Sequence, residues 1–190
     1  MKFLKPTDPL PTLGRLEKSV IINGVVHLEG WVVSFDQKPL DRIQVTIAGQ
    51  EFSNLELTHS LVSPVIHKNY PNIPGTDKAK YIIKISLTPQ QQQQLKNSLV
   101  VLTPLYQEQP GGIMPNVLDP SIPIPSQEYI KFVGGHFTDV AFDFLGYYIQ
   151  RVGLEPQDKV LDVGCGVGRL AYSLAYYLTP QLDSARGLPL

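Results

Sequence analysis

Near the carboxyl end of the chain, one short segment combines the residue types that hold small ligands against a backbone. Gly164, Gly166 and Gly168 stand at alternate positions, and Asp162 precedes the first of them by two residues. Glycine has no Cβ, so it permits both a sharp turn and the close approach of a ligand to the main chain. The spacing therefore predicts a ligand-binding loop with a carboxylate directly before it.

This loop needs rigid elements on both sides to hold it. Residues 159–163 form a short apolar run, which predicts a β-strand, and apolar residues recur at helical spacing from Leu170 to Leu178. The free N–H groups and the positive dipole end of such a helix point back at the loop. A strand, a glycine loop and a helix in this order suit a nucleotide-like ligand.

The spacing of the glycines separates two kinds of nucleotide cofactor. Dinucleotide-binding loops have the pattern Gly-x-Gly-x-x-Gly, with an acidic residue about 20 positions later that holds the ribose. In this chain the third glycine comes one residue early, as Gly168, and Arg169 occupies the position that the pattern assigns to glycine. The pattern therefore disfavours NAD as the cofactor.

The segment Val-Leu-Asp-Val-Gly-Cys-Gly-Val-Gly-Arg at residues 160–169 resembles motif I of the class I methyltransferases that use S-adenosylmethionine. In that family the glycine loop lies against the amino-acid and ribose portions of the cofactor, and the acidic residue orders the loop or the methionine amine. The resemblance implies S-adenosylmethionine contacts for Asp162, Gly164, Cys165, Gly166 and Gly168, with Cys165 acting through its backbone. Arg169 is expected to be a surface or packing residue. The alternative is a tight strand-to-helix turn that holds no ligand.

A second segment, from Phe132 to Phe137, resembles the region before motif I in methyltransferases attached to bacterial sugar-polymer gene products. In those relatives this region packs near the cofactor edge, which implies further cofactor contacts for Gly134, Gly135 and Phe137. We expect the neighbouring His136 to be an ordinary loop residue rather than a general base. The other histidines are scattered and form no ligand spacing, so no metal site is expected.

The two halves of the chain have different hydrophobic periods. Runs of β-branched residues and the turn signal Asn23-Gly24 predict several short strands within residues 14–107. The density of proline over residues 108–126 predicts a linker. Apolar spacings of three and four then predict a helix over residues 137–152. The predicted strands are residues 20–22, 25–33, 43–47, 52–57, 81–87 and 99–103.

These patterns predict an α+β chain in two parts. Residues 14–107 are expected to form an antiparallel β-sandwich, and residues 127–190 the first helix-strand-helix portion of a Rossmann-like α/β methyltransferase fold. The sandwich resembles accessory domains next to bacterial glycosyltransferases and methyltransferases. This resemblance implies a role in glycan or surface-polymer metabolism, a small-molecule or glycan methyl acceptor and a glycosyltransferase partner. Trp31 is expected in the core rather than exposed for stacking on a sugar.

Only the first strand of a methyltransferase sheet is recognisable in this sequence. We therefore expect an N-terminal fragment, or the product of a frameshifted or prematurely ended reading frame, that does not transfer methyl groups alone. The alternative function is a non-catalytic carbohydrate-binding or docking module, formed by the sandwich, with a vestigial methyltransferase tail.

The composition excludes several other classes of protein. Of the 190 residues, 16 are Lys or Arg and 17 are Asp or Glu, so the net charge of −1 offers no basic surface for nucleic acid. Residues 1–6 lack the apolar run of a signal peptide, and no stretch of about 18 apolar residues predicts a membrane span. We therefore expect a cytoplasmic protein. Cys165 is the single cysteine, so neither an internal disulfide nor a thiolate zinc site is expected.

Overall fold

The computed structural model describes residue 9 and residues 11–178 of the chain, which divides into two compact units. Unit 1 is Met1–Ser121 and unit 2 is Ile122–Leu190. Unit 1 contains two antiparallel sheets, and the regular structure of the described part of unit 2 is helical, so the chain is a mixed α+β protein. Residues 1–6, which carry the argument against a signal peptide, lie outside the described residues.

The strands of unit 1 fall into two sheets. In chain order they are β1 (Thr12–Ile22), β2 (Val25–Ser34), β3 (Arg42–Ile47), β4 (Gln50–Phe52), β5 (Glu56–Leu61), β6 (Lys80–Ser86), β7 (Leu99–Tyr106), β8 (Gln109–Pro110) and β9 (Met114–Val117). One sheet has the order β1-β2-β6-β5 and the other the order β4-β3-β7-β8, with β9 also paired to β7. Asn23 and Gly24 both have positive φ and connect β1 to β2, with Ile22 paired to Val25. The predicted two-residue hairpin is therefore confirmed.

The two sheets share one hydrophobic core, because alternate side chains of each strand point to the same face. The inward residues are Ile43, Val45 and Ile47 in β3 and Tyr81, Ile83 and Ile85 in β6. Together with residues of β1, β2, β7 and β9 they form a single buried cluster. The alternation that predicted these two strands is therefore confirmed, and the sheets form a sandwich.

The prediction that residues 108–126 form a proline-rich linker is wrong for the first half of that segment. β8 and β9 lie within it, and Met114 and Val117 are buried in unit 1. Pro115 sits opposite Val101 of β7. Proline lacks only the N–H donor and is tolerated on an edge strand, where that donor is not needed by a second neighbour. The density of proline therefore predicted a linker that is longer than the one in the structure.

The strand predicted at residues 52–57 is also wrong, since the chain changes sheets within it. Phe52 ends β4, which pairs with β3, whereas Glu56 begins β5, which pairs with β6. A left-handed turn at Ala48 and Gly49 closes the hairpin between β3 and β4. The number of apolar residues in a segment does not show where the chain passes from one sheet to the other.

Short helices and turns cover part of the sandwich. They are α1 (Pro64–Asn69), a 3-10 turn (Thr76–Lys78) and α2 (Pro89–Gln94). Trp31 is buried in a small cluster with Val33, Ile66 and Ala79, and its ring lies 5.5 Å from that of Tyr70. The prediction that Trp31 is a core residue is therefore confirmed.

Unit 2 contains α3 (Gln127–Val133), α4 (Phe137–Tyr147), a π-helical turn (Tyr148–Val152) and α5 (Arg169–Tyr177). The helix predicted over residues 137–152 is confirmed, with its end formed by the π turn and by Gly153 at φ +74°. Phe137, Ala141 and Leu145 are buried, but Phe144 is half exposed. The buried stripe is therefore narrower than the apolar spacing predicted.

The Rossmann-like portion predicted for residues 127–190 is not confirmed. From Ile122 to Leu178 the backbone forms helices and turns, and no strand is present in that described range.

Among the described residues, no helix is long and apolar enough to cross a membrane.

Candidate cofactor site

The glycine loop leads into α5 as predicted, but the strand predicted before it is wrong. Residues 158–162 have no regular structure, and turns occupy residues 163–164 and 166–168. Leu161 is 86% exposed and Val163 82% exposed. A strand needs a neighbour for its backbone N–H and C=O groups, and the described part of unit 2 supplies none. An apolar run alone therefore does not form a strand here.

The three glycines of the loop are needed for backbone conformation. Gly164, Gly166 and Gly168 have φ values of +77°, +56° and +78°, in the region that side chains with a Cβ rarely adopt. At Gly164 and Gly168 no atom lies within 4 Å of the position that a Cβ would occupy. At Gly166 the nearest atom to that position is the carbonyl oxygen of Gly164, at 4.0 Å. The glycines thus shape the loop and leave open space on their side-chain faces.

Asp162 places an unpaired acceptor directly before this loop. The residue is half-buried, and its Oδ2 atom is fully buried without a hydrogen-bond partner. A buried carboxylate oxygen without a donor is unfavourable, because it loses its hydration and gains no hydrogen bond in return. Asp162 therefore has the chemistry to accept a hydrogen bond from a ligand.

Arg169, expected only to pack or face solvent, connects the two segments that the sequence singled out. Its Nη2 donates a hydrogen bond to the carbonyl oxygen of Gly134. Its Nε atom is buried without a hydrogen-bond partner. The first residue of α5 thus holds the Gly134-Gly135 turn against the end of the glycine loop. No local sequence pattern predicts this contact, which depends on how α4 and α5 pack.

Aromatic side chains hold α4 against α5. The ring of Tyr172 in α5 lies edge-to-face with Phe137, at 5.3 Å between centroids, and with Phe142, at 6.0 Å. Phe137 and Tyr172 are buried. Burial, followed by the neighbouring Tyr176, raises the pKa of the Tyr172 hydroxyl to about 12. Tyr172 is therefore a neutral packing residue at physiological pH, and it fixes the position of Phe137.

Gly134, Gly135 and Phe137 line a cleft of about 450 Å³, together with His136 and residues of α3. Gly134 and Gly135 have φ values of +71° and +70°. His136 is exposed and precedes α4 without capping it through its side chain. The remaining predicted cofactor residues are not among those lining this cleft: Asp162, Gly164, Cys165, Gly166 and Gly168. The predicted site therefore falls into two groups, which Arg169 connects.

Cys165 and the histidines add no further reactive group to this site. Cys165 is an exposed free thiol whose Sγ makes one weak contact, 3.9 Å to the carbonyl oxygen of Gly166. Within the described part of the chain, no three His, Cys, Asp or Glu side chains are grouped so that they could hold a metal ion.

No family model matches the chain, and no solved structure matches it significantly.

Proposed function

We propose that the loop at residues 162–169 binds S-adenosylmethionine and that the chain takes part in methyl transfer of the class I type. The carrying observation is the combination, in one loop, of three left-handed glycines with an unpaired buried carboxylate oxygen of Asp162. The sequence of this loop resembles motif I of that family.

The residues present fit this cofactor chemically. S-adenosylmethionine carries an ammonium group and ribose hydroxyls, which can donate hydrogen bonds to the carboxylate of Asp162, a half-buried residue directly before the loop. The backbone of Gly164, Cys165 and Gly166 can approach the ligand closely, because no side chain covers the glycine faces. Gly168 precedes α5 without a side-chain cap, so the first N–H groups of this nine-residue helix suit the carboxylate of the cofactor.

The cofactor, when bound, supplies an electrophilic methyl group on a sulfonium. The chain's own contribution is to orient the cofactor, which is the main catalytic requirement for a direct displacement. The cleft lined by Gly134, Gly135 and Phe137 is connected to the loop through the hydrogen bond from Arg169 to Gly134. By the resemblance, the acceptor belongs to glycan or surface-polymer metabolism and a glycosyltransferase acts alongside.

Calorimetric titration of the 190-residue chain with S-adenosylmethionine, together with amide NMR spectra, tests the proposal. We expect saturable binding with shifts of the Gly164, Gly166 and Gly168 amide signals. Asp162→Asn and Gly166→Ala should each weaken binding by about tenfold, the effect of losing one good hydrogen bond or distorting the loop.

Gly153→Ala is the matched control. Gly153 also lies in unit 2, has φ +74° and has no atom near its Cβ position. Its replacement introduces the same kind of backbone strain outside the loop and should leave cofactor binding unchanged. The proposal is wrong if no binding is detected, or if Gly153→Ala and Gly166→Ala weaken it equally.

A further inference from the structure

The side chain of Arg169 joins two segments of unit 2 that carry the candidate site. Arg169 begins α5 directly after Gly168, the last glycine of the loop. Its Nη2 donates to the carbonyl oxygen of Gly134, which begins the turn between α3 and α4. One guanidinium group therefore connects the end of the glycine loop to the Gly134-Gly135 turn, 35 positions away in sequence.

Both segments have open space beside their glycines. No atom lies within 4 Å of the position that a Cβ would occupy at Gly134 or at Gly168. Each segment forms hydrogen bonds close along the chain: the N–H of Gly168 donates to the carbonyl oxygen of Cys165 at 2.9 Å, and the N–H of Gly134 to that of Lys131 at 3.3 Å. Packing at these glycines therefore does little to hold one segment against the other, and the Arg169 hydrogen bond connects them directly.

The helices behind the two segments are held against each other. Tyr172, three residues after Arg169, lies edge-to-face with Phe137, three residues after Gly134, and both aromatic residues are buried. A movement of the loop or of the turn therefore takes place relative to a fixed base. A movement that displaces the Arg169 guanidinium must either break its hydrogen bond or carry Gly134 with it.

Breaking this hydrogen bond is unfavourable for Arg169. The guanidinium is charged, and charge-assisted hydrogen bonds are stronger than neutral ones. The Nε atom of the same group is already fully buried without a hydrogen-bond partner, so the side chain is in part removed from water. A donor that loses its partner under these conditions is left desolvated without compensation. We therefore expect the Gly134 turn to follow the Arg169 side chain.

We propose that Arg169 is a positioning residue, which couples the conformation of the glycine loop to that of the Gly134-Gly135 turn. The turn lines the cleft of about 450 Å³ that also includes Phe137. A ligand held by the loop therefore changes the shape of this cleft, and a molecule in the cleft changes the affinity of the loop by the same factor, because such coupling is reciprocal. The identity of the ligand rests on the proposed function, whereas the coupling is a property of the chain alone.

Amide NMR spectra of the full chain without any ligand test the coupling in four forms: the parent, Gly166→Ala, Arg169→Met and the double variant. Gly166→Ala distorts the loop, because position 166 has φ +56°. Methionine keeps an unbranched side chain that suits a helix but cannot donate a hydrogen bond. We expect Gly166→Ala to shift the Gly134 and Gly135 amide signals of the parent and to leave them unmoved in the Arg169→Met background. This non-additivity measures the coupling that Arg169 carries.

Gly153→Ala is the matched control, because it strains a left-handed glycine of unit 2 outside the loop. It should leave the Gly134 and Gly135 signals unchanged. A purely structural role of Arg169 would not make the response to Gly166→Ala depend on residue 169. Equal shifts in both backgrounds, or no shift in either, would overturn the proposal.

Guanidinium NMR of the parent and of Gly166→Ala keeps the proposal testable if Arg169→Met does not fold. The Arg169 Nη2 signal reports the hydrogen bond to Gly134 directly. We expect it to shift in Gly166→Ala together with the Gly134 amide signal. An unmoved Nη2 signal would contradict the coupling.

Titration with S-adenosylmethionine separates this proposal from the proposed function. In the parent, the Gly134 and Gly135 signals should shift together with those of the loop glycines, and in Arg169→Met only the loop glycines should shift. Failure of the cofactor to bind would overturn the proposed function, while the ligand-free comparison would still decide the coupling. Equal shifts of Gly134 and Gly135 in both proteins would mean that the cofactor reaches the turn without Arg169, against the coupling.

Discussion

Units 1 and 2 use apolar residues in opposite ways. In unit 1 the apolar residues of β3 and β6 alternate, pair with neighbouring strands and close over one core. In unit 2 the equally apolar residues 160–163 pair with no strand, and Leu161 and Val163 remain exposed, as does Phe132 at 91%. Hydrophobic character therefore predicts burial only where a hydrogen-bonding partner for the backbone exists.

Gly30 in unit 1 and the glycines of the loop in unit 2 are needed for different reasons. At Gly30 in β2, an added Cβ would collide with the carbonyl oxygen of Arg15 and with the Tyr81 side chain. At Gly164, Gly166 and Gly168 the space is open and φ is positive. Gly30 is needed because there is no room for a side chain in β2, whereas the loop glycines are needed for backbone conformation.

The largest expected effect comes from the same substitution made once in each unit. Leu102 is fully buried in β7 and Leu161 is 86% exposed. Leu102→Ala leaves a cavity and should lower the free energy of unfolding by about 2–5 kcal/mol. Leu161→Ala removes an exposed side chain and should change it by less than about 0.5 kcal/mol.

Urea unfolding of both variants checks this comparison. Trp31 is the single tryptophan and lies in unit 1, so its fluorescence reports that unit, while far-UV circular dichroism reports both units. A loss for Leu161→Ala as large as that for Leu102→Ala would mean that residues 160–163 are buried, against the structure described.

The next largest effect separates the two uses of glycine. Gly30→Ala should lower the free energy of unfolding by about 1–3 kcal/mol or more, because the collision is with backbone that the β1–β2 pairing holds in place. Gly166→Ala should lower it by about 1–2 kcal/mol, the penalty of a left-handed conformation for a residue with a Cβ.

Asparagine sharpens this test, because it tolerates left-handed backbone but is larger than alanine. At position 166 asparagine should be less harmful than alanine, and at position 30 it should be more harmful. Thermal unfolding of the four variants measures both orders. The same order at both positions would contradict the distinction between space and conformation.

The accuracy of the predictions from sequence also differs between the two units. The hairpin at Asn23-Gly24 and the strands with alternating burial were predictable, since their signals are local and their partners lie in unit 1. The strands β8 and β9 were missed because proline was counted without regard to edge positions. The strand at residues 159–163 was predicted wrongly, because periodicity carries no information about a partner.

The residues of the candidate site also differ in whether a local sequence pattern could predict them. The glycines of the loop were found from their spacing, and their positive φ values agree with the reason for expecting glycine there. The Arg169 hydrogen bond to Gly134 joins residues 35 apart in sequence, so no local pattern could reveal it.

Stability should also depend on alkaline pH, through the buried tyrosines Tyr81 and Tyr106 of unit 1. Burial, followed by the nearby Glu17, raises the pKa of Tyr81 well above its usual value, and burial raises that of Tyr106. Unfolded tyrosine ionises near pH 10. Above that pH the folded state therefore binds more protons, and the free energy of unfolding should fall by about 1.4 kcal/mol per pH unit for each such tyrosine.

Tyr81→Phe isolates one of these contributions. The variant loses the hydrogen bond to the carbonyl oxygen of Arg15, so its stability should be lower than that of the parent at neutral pH. Its stability should nevertheless fall less steeply above about pH 10, because phenylalanine does not ionise. In unit 2 the fall due to Tyr172 should end near its pKa of about 12, whereas unit 1 should continue to lose stability. Denaturant unfolding at a series of pH values measures both slopes, and parallel slopes for Tyr81→Phe and the parent would show that the Tyr81 hydroxyl reaches water in the folded chain.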